Sequence, residues 1–136
     1  MKPGGGATPF FSTLVLKMKL VDSLQEKQFR AELSRGHHSL FHEETGARLL
    51  AFLKEKFGQL KTAYVLQWIP EQGEDICTIL VNDDVIAELE VPRIDPAGEP
   101  LMLRTTTMAE YAKRLTKIDQ IKLAVALDLA RTDLAQ

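Results

Sequence analysis

Residues 63–91, AYVLQWIPEQGEDICTILVNDDVIAELEV, hold three short runs rich in β-branched and aromatic residues, separated by PEQGED and by Asn82-Asp83-Asp84. Runs of this length bounded by turn residues predict strands over 63–69, 76–81 and 85–91, joined as an antiparallel meander. Side chains alternate across a strand. This alternation assigns Tyr64, Leu66 and Trp68 to one face of the first strand and Ile76, Thr78 and Leu80 to one face of the second. Val85, Ala87, Leu89 and Val91 join that face from the third strand. The opposite side offers Cys77, Ile79 and Val81, then Ile86 with Glu88 and Glu90. A second strand that is apolar on both faces is what a central strand requires, whereas Glu88 and Glu90 suit a half-solvated outer one.

Helices are expected on both flanks. Upstream, Ser12 to Gly36 fits one helix capped by Ser12, or a strand over 13–21 followed by a helix opening at Asp22. In either case Leu20 and Leu24, then Phe29 and Leu33, lie four apart, and Gly36 stands where a left-handed residue would end the helix. The next helix runs to Gly58, with Leu49, Leu50, Leu53 and Phe57 as its apolar stripe. Its cap is Ser39 or Thr45, and the earlier start is preferred. Downstream, residues 101–106 are available as a fourth strand. Thr107 with Glu110 is a capping-box pattern, and Thr116 with Asp119 permits a second cap before a helix over 118–131, unless the two helices are one. Ile121 to Leu127 is apolar apart from Lys122. The expected fold is therefore α+β, with helices flanking a three- or four-stranded antiparallel meander in the order α-α-β-β-β-α, with or without a further helix. Residues 1–9, MKPGGGATP, read as a disordered tail and 10–136 as a single domain.

Composition restricts the function classes. The chain has 136 residues, 45% hydrophobic and 26% charged, which suits a folded globular domain. A formal net charge of -2 gives no global attraction to phosphate backbones or anionic membranes, so nucleic acid is not an expected partner. The apolar stretch at 9–16 is too short to span a bilayer and is followed by no small-residue cleavage site, so neither a leader nor a membrane anchor is expected. A single cysteine, Cys77, suits the reducing cytoplasm.

The sharpest local feature is HHSLFHEE, which holds all three histidines, His37, His38 and His42, beside Glu43 and Glu44. Imidazole and carboxylate are zinc-type ligands, and His38 and His42 share a helix face if both are helical. The competing reading is a polar helix start with solvated histidines. Asp83, Asp84, Glu88 and Glu90 resemble a metal-dependent nuclease set only in charge, because the lysine such a set needs is missing and turn chemistry accounts for the two aspartates. Residues 108–130 have a helix-turn-helix cadence, but Leu123 to Leu127 is too apolar to read base edges. Cys77 lies mid-strand and reads as a buried small hydrophobe.

Two functions compete on this reading. The preferred one is a non-enzymatic protein-binding domain that takes a protein partner or a second copy of itself, with no cofactor. It uses an apolar strip at Ile79, Val81 and Ile86 that is left open if helices cover only one sheet face. The alternative is a small metal-assisted enzyme built on His37, His38, His42 and Glu43.

Overall fold

A computed structural model describes residues 19–92 and 102–136. Its elements run α1 (Leu24–His42), α2 (Glu44–Lys56), β1 (Ala63–Pro70), β2 (Glu74–Val81), β3 (Val85–Pro92), β4 (Met102–Thr107), α3 (Met108–Lys113) and α4 (Lys117–Leu134). The four strands form one antiparallel sheet in sequence order. The α+β expectation and the fourth strand are both met. Among the described residues no helix is long and apolar enough to cross a membrane.

Local chemistry sets the helix ends. Ser23 caps α1 by accepting from Glu26 N, while the Glu26 carboxylate accepts from the backbone N–H groups of Val21 and Asp22 at 3.0 and 2.6 Å. These N–H groups, that of Val21 foremost, hold the Glu26 carboxyl below its ordinary pKa. The continuous helix from Ser12 is thus interrupted before Leu24; the part of that segment at 12–18 lies outside the described residues, as does the expected tail. Gly36 does not stop α1. The helix passes through it to His42, and the space beside β1 would take a side chain: a Cβ on Gly36 would sit 3.9 Å from Val65 Cβ, an ordinary contact.

The early start for the next helix is corrected as well. Ser39 lies inside α1 and its hydroxyl donates to Glu43 at 2.7 Å, while Glu43 is the extended residue that separates α1 from α2. Gly46 then falls in the first turn of α2, so close to α1 that a Cβ would meet Ser39 O at 2.5 Å and Leu40 Cα at 2.6 Å. Thr107 and Thr116 each accept from the backbone N–H three residues on, so the last two helices are separate.

Two features rearrange the predicted sheet faces. Between Val65 and Gln67 the register slips at a β-bulge, which reverses every side chain beyond it, and Trp68 comes to lie opposite Cys77. In the β2–β3 hairpin, Leu80 pairs with Ile86 and Ile79 with Ala87. Ile86 therefore belongs to the Leu80 face, and Ala87 and Leu89 to the Ile79 face. Both faces are covered. Tyr64, Leu66, Leu80 and Ile86 pack with Leu33 of α1, Tyr111 of α3, and Leu123 and Leu127 of α4. Cys77, Ile79, Val81 and Leu89 pack with Leu40 of α1 and Leu53 of α2. The expected open strip is thus closed within the chain, with Ile79, Val81 and Ile86 only 0%, 2% and 0% exposed.

The two helical glycines should respond oppositely to alanine. Gly46→Ala forces backbone apart and is expected to cost about 2–3 kcal/mol. Gly36→Ala adds an ordinary contact and removes unfolded-state freedom, so it is expected to stabilise by up to about 1 kcal/mol. Urea unfolding midpoints of the two variants check this, and equal shifts would contradict the tight α1–α2 corner.

Candidate functional site

Because α1 continues past Gly36, the histidine run occupies its final turns rather than a helix start. His38 and His42 share a face four residues apart, with ring centroids 5.0 Å apart and His38 Nε2 3.9 Å from Glu43 Oε2. His37 points elsewhere. Its ring stacks between Phe41 and Tyr64 at centroid distances of 4.5 and 4.7 Å. The helix thus divides the cluster. Among the described residues no group of three or more His, Cys, Asp or Glu side chains is placed to hold a metal ion.

The inward histidine joins a polar network that the sequence did not announce. Thr62 Oγ1 and Tyr64 Oη both donate to Asp133 Oδ2, at 2.7 and 2.5 Å, and His37 Nε2 lies 3.1 Å from Thr62 Oγ1. The single hydroxyl proton of Thr62 goes to Asp133, so its oxygen accepts from His37, which places the histidine proton on Nε2. One carboxylate on α4 thereby satisfies two buried hydroxyls on and beside β1, and through them holds α1. Burial lowers the His37 pKa; Asp133 opposes this, and the charges of His42 and His38 add to it. Tyr64 is pushed far above its ordinary value by burial and by its bond to Asp133. No spacing pattern connects residues 37, 62, 64 and 133; the only hint in the sequence is that Thr62 and Tyr64 carry hydroxyls at the start of an apolar strand.

The other candidates fall into structural roles. Glu88 holds Arg104 and Arg114 at 3.0 and 3.4 Å, and Asp83 lies 3.7 Å from Arg131. Asp84 has a raised pKa, from burial and then from Asp83 beside it. Buried Cys77 has its thiol pushed up to about 12 by burial, which leaves it protonated at neutral pH and a poor nucleophile. Of the basic residues near the helix-turn-helix cadence, Lys113 meets Glu110, Arg114 meets Glu88 and Lys122 meets Glu32. Leu123 to Leu127 is buried in the core.

The described residues also form concave surfaces, one of them chiefly apolar. Where the α1–α2 corner leans over β1 and β3, a cleft of about 480 Å³ opens to solvent. Leu40, Leu49, Val65, Val91 and Trp68 give it apolar walls, and Thr45 and Arg48 add polar groups. Its position depends on the bulge, which turns Trp68 to this side, and the indole N–H donates to Asp75 at 2.8 Å. Trp68 is 45% exposed, unusual for the sole tryptophan of a chain with a full core. Sequence alternation had placed it on the other face, so the cleft was invisible from the residues alone. No protein family, characterised protein or solved structure matches the chain.

His37 supplies a pH signature. Because its folded-state pKa lies below the unfolded value of about 6.5, the unfolded chain takes up its proton first on acidification. Stability should fall as pH drops from about 6.5 through the folded pKa of His37, and this residue should contribute no pH dependence above that window. Imidazole resonances followed by NMR, with unfolding curves over the same range, check it. A His37 titration above that of a free histidine would mean that Asp133 outweighs burial.

Proposed function

We propose that the chain is a non-enzymatic protein-binding domain whose cleft beside Trp68 receives an apolar side chain of a protein partner. The observation that carries this reading is the exposed tryptophan on the wall of an open apolar cleft. Buried aromatic anchors in such pockets supply most of the affinity of many interfaces, and a tryptophan offers a large rigid face at little entropic cost. The surrounding Thr45 and Arg48 provide the polar rim that fixes orientation. A regulator, an adaptor or a toxin-neutralising protein would use such a site in this way. A reducing compartment such as the cytoplasm suits a buried free thiol. The metal-assisted reading has less support, because His37 is committed to Thr62 while only His38, His42 and Glu43 stay together.

Blocking the cleft tests the proposal. Val91→Lys places a charge on its wall at a partly exposed position. A partner identified by capture on the native chain should lose at least about tenfold in affinity for this variant, equivalent to about 1.4 kcal/mol. Because Trp68 is the sole tryptophan, its emission reads occupancy directly. The partner's contacting peptide should shift Trp68 emission in the native chain and leave the blocked variant unchanged. Equal affinity for both, or no emission change on binding, would move recognition away from this cleft.

A further inference from the structure

The two outward histidines close α1 at the point where the chain turns into α2. His38 and His42 lie four residues apart in the last turns of α1, and both are exposed. Glu43, the next residue, is extended and joins the two helices. Its carboxylate is held in place: Oε1 accepts from the Ser39 hydroxyl at 2.7 Å, and Oε2 faces His38 Nε2 at 3.9 Å. An ion bound tetrahedrally at about 2.0–2.2 Å by nitrogen and oxygen sets neighbouring donor atoms roughly 3.3 Å apart, and the centroids of two bound imidazoles roughly 5 Å apart. The His38 and His42 ring centroids are 5.0 Å apart, and the separation from His38 to Glu43 is slightly wider than that donor spacing. As they stand, the three side chains do not converge on one point. The His42 ring is exposed, however, and exposed side chains exchange rotamers within nanoseconds, so turning it to complete the set costs little.

We propose that His38, His42 and Glu43 bind a divalent transition-metal ion of the zinc class and so clasp the α1–α2 corner. The donor chemistry selects the ion. Two imidazole nitrogens and a carboxylate oxygen suit zinc and its late first-row neighbours, whereas magnesium and calcium want a shell of oxygens that only Glu43 begins to supply. The geometry selects the ligands. His38 and His42 are spaced by the helix itself, and Ser39 orients the third group. His37, next to them in sequence, takes no part, because it is stacked between Phe41 and Tyr64 and lies 3.1 Å from Thr62 Oγ1. Three protein ligands leave a fourth position for water. The ion ties the end of α1 to the residue that leads into α2, beside the close approach of the two helices at Gly46. None of the three ligands lines the cleft, so this site and the cleft stand or fall separately.

Zinc chloride titrated into the full chain, purified without a histidine tag and stripped with a chelator, tests the site. Calorimetry should show one equivalent bound, and magnesium chloride in its place should give no binding heat. His38→Ala and His42→Ala should each lower zinc affinity at least about tenfold with the circular dichroism unchanged, since both side chains are exposed. Glu43→Gln keeps an acceptor for Ser39 but loses the charge the ion needs, and should lower affinity roughly tenfold. In NMR spectra the imidazole resonances of His38 and His42 should shift together on zinc addition while those of His37 stay in place. Zinc should also raise the urea midpoint of the native chain and leave that of His42→Ala unchanged. A native chain that binds no zinc at millimolar concentration overturns the proposal. So does zinc binding that survives either histidine substitution, that Glu43→Gln leaves at full strength, or that moves the His37 resonances instead.

Discussion

Everything in this fold follows from a strand that is apolar on both sides. β2 carries Cys77, Ile79 and Val81 on one face and Leu80 on the other, all of them buried. Burying one aliphatic side chain of this size stabilises by about 1.5–3 kcal/mol, so neither face of β2 is left to water without a large penalty. Each face therefore needs its own cover. α2 supplies Leu53 to the Cys77 side, α4 supplies Leu123 and Leu127 to the Leu80 side, and α1 contributes to both with Leu40 and Leu33. Gly46, where a Cβ would meet α1 backbone, lets α2 fold back against α1. The sheet is a layer between helices because its central strand leaves no alternative.

This arrangement makes one polar cluster costly to omit. Where α1, β1 and α4 converge, Thr62 and Tyr64 are buried, and unpaired hydroxyls there would cost about 1–3 kcal/mol each. Asp133 accepts from both, and His37 closes the network from α1. The histidine that chemistry would have claimed for a metal is thus a joint between helices. What remains for recognition lies at the margin of the fold, in an open cleft whose tryptophan the bulge has turned outward.

Patterning that depends on neighbours in sequence was legible from the residues. Strand existence, the hairpin at Asn82-Asp83-Asp84, the Thr107 and Thr116 caps and the apolar breadth of Leu123 to Leu127 are all local, and all appear in the structure. What failed depends on contacts between distant segments. Gly36 reads as a stop because glycine in isolation favours helix ends, but the helix continues through it, held by the packing of α1 on both sides of the sheet. The bulge in β1 has no composition signal, and one inserted residue moved Trp68 to the opposite face. Pairing Leu80 with Ile86 likewise depends on hairpin geometry, which placed Ile86 with the Leu80 side. Of the candidate site, the His38–His42 spacing could be read from sequence, while the Asp133 network and the cleft could not, since they join residues 25 to 71 positions apart or rest on the bulge.

The claim that both sheet faces are covered is tested most directly by paired truncations on adjacent residues of β2. Ile79 and Leu80 point to opposite faces and are each fully buried. Ile79→Ala and Leu80→Ala, compared by denaturant unfolding, should each cost about 2–5 kcal/mol. If Ile79→Ala costs less than about 1 kcal/mol, as at a solvent-facing position, while Leu80→Ala remains severe, then the Cys77 face is open and the layered account fails.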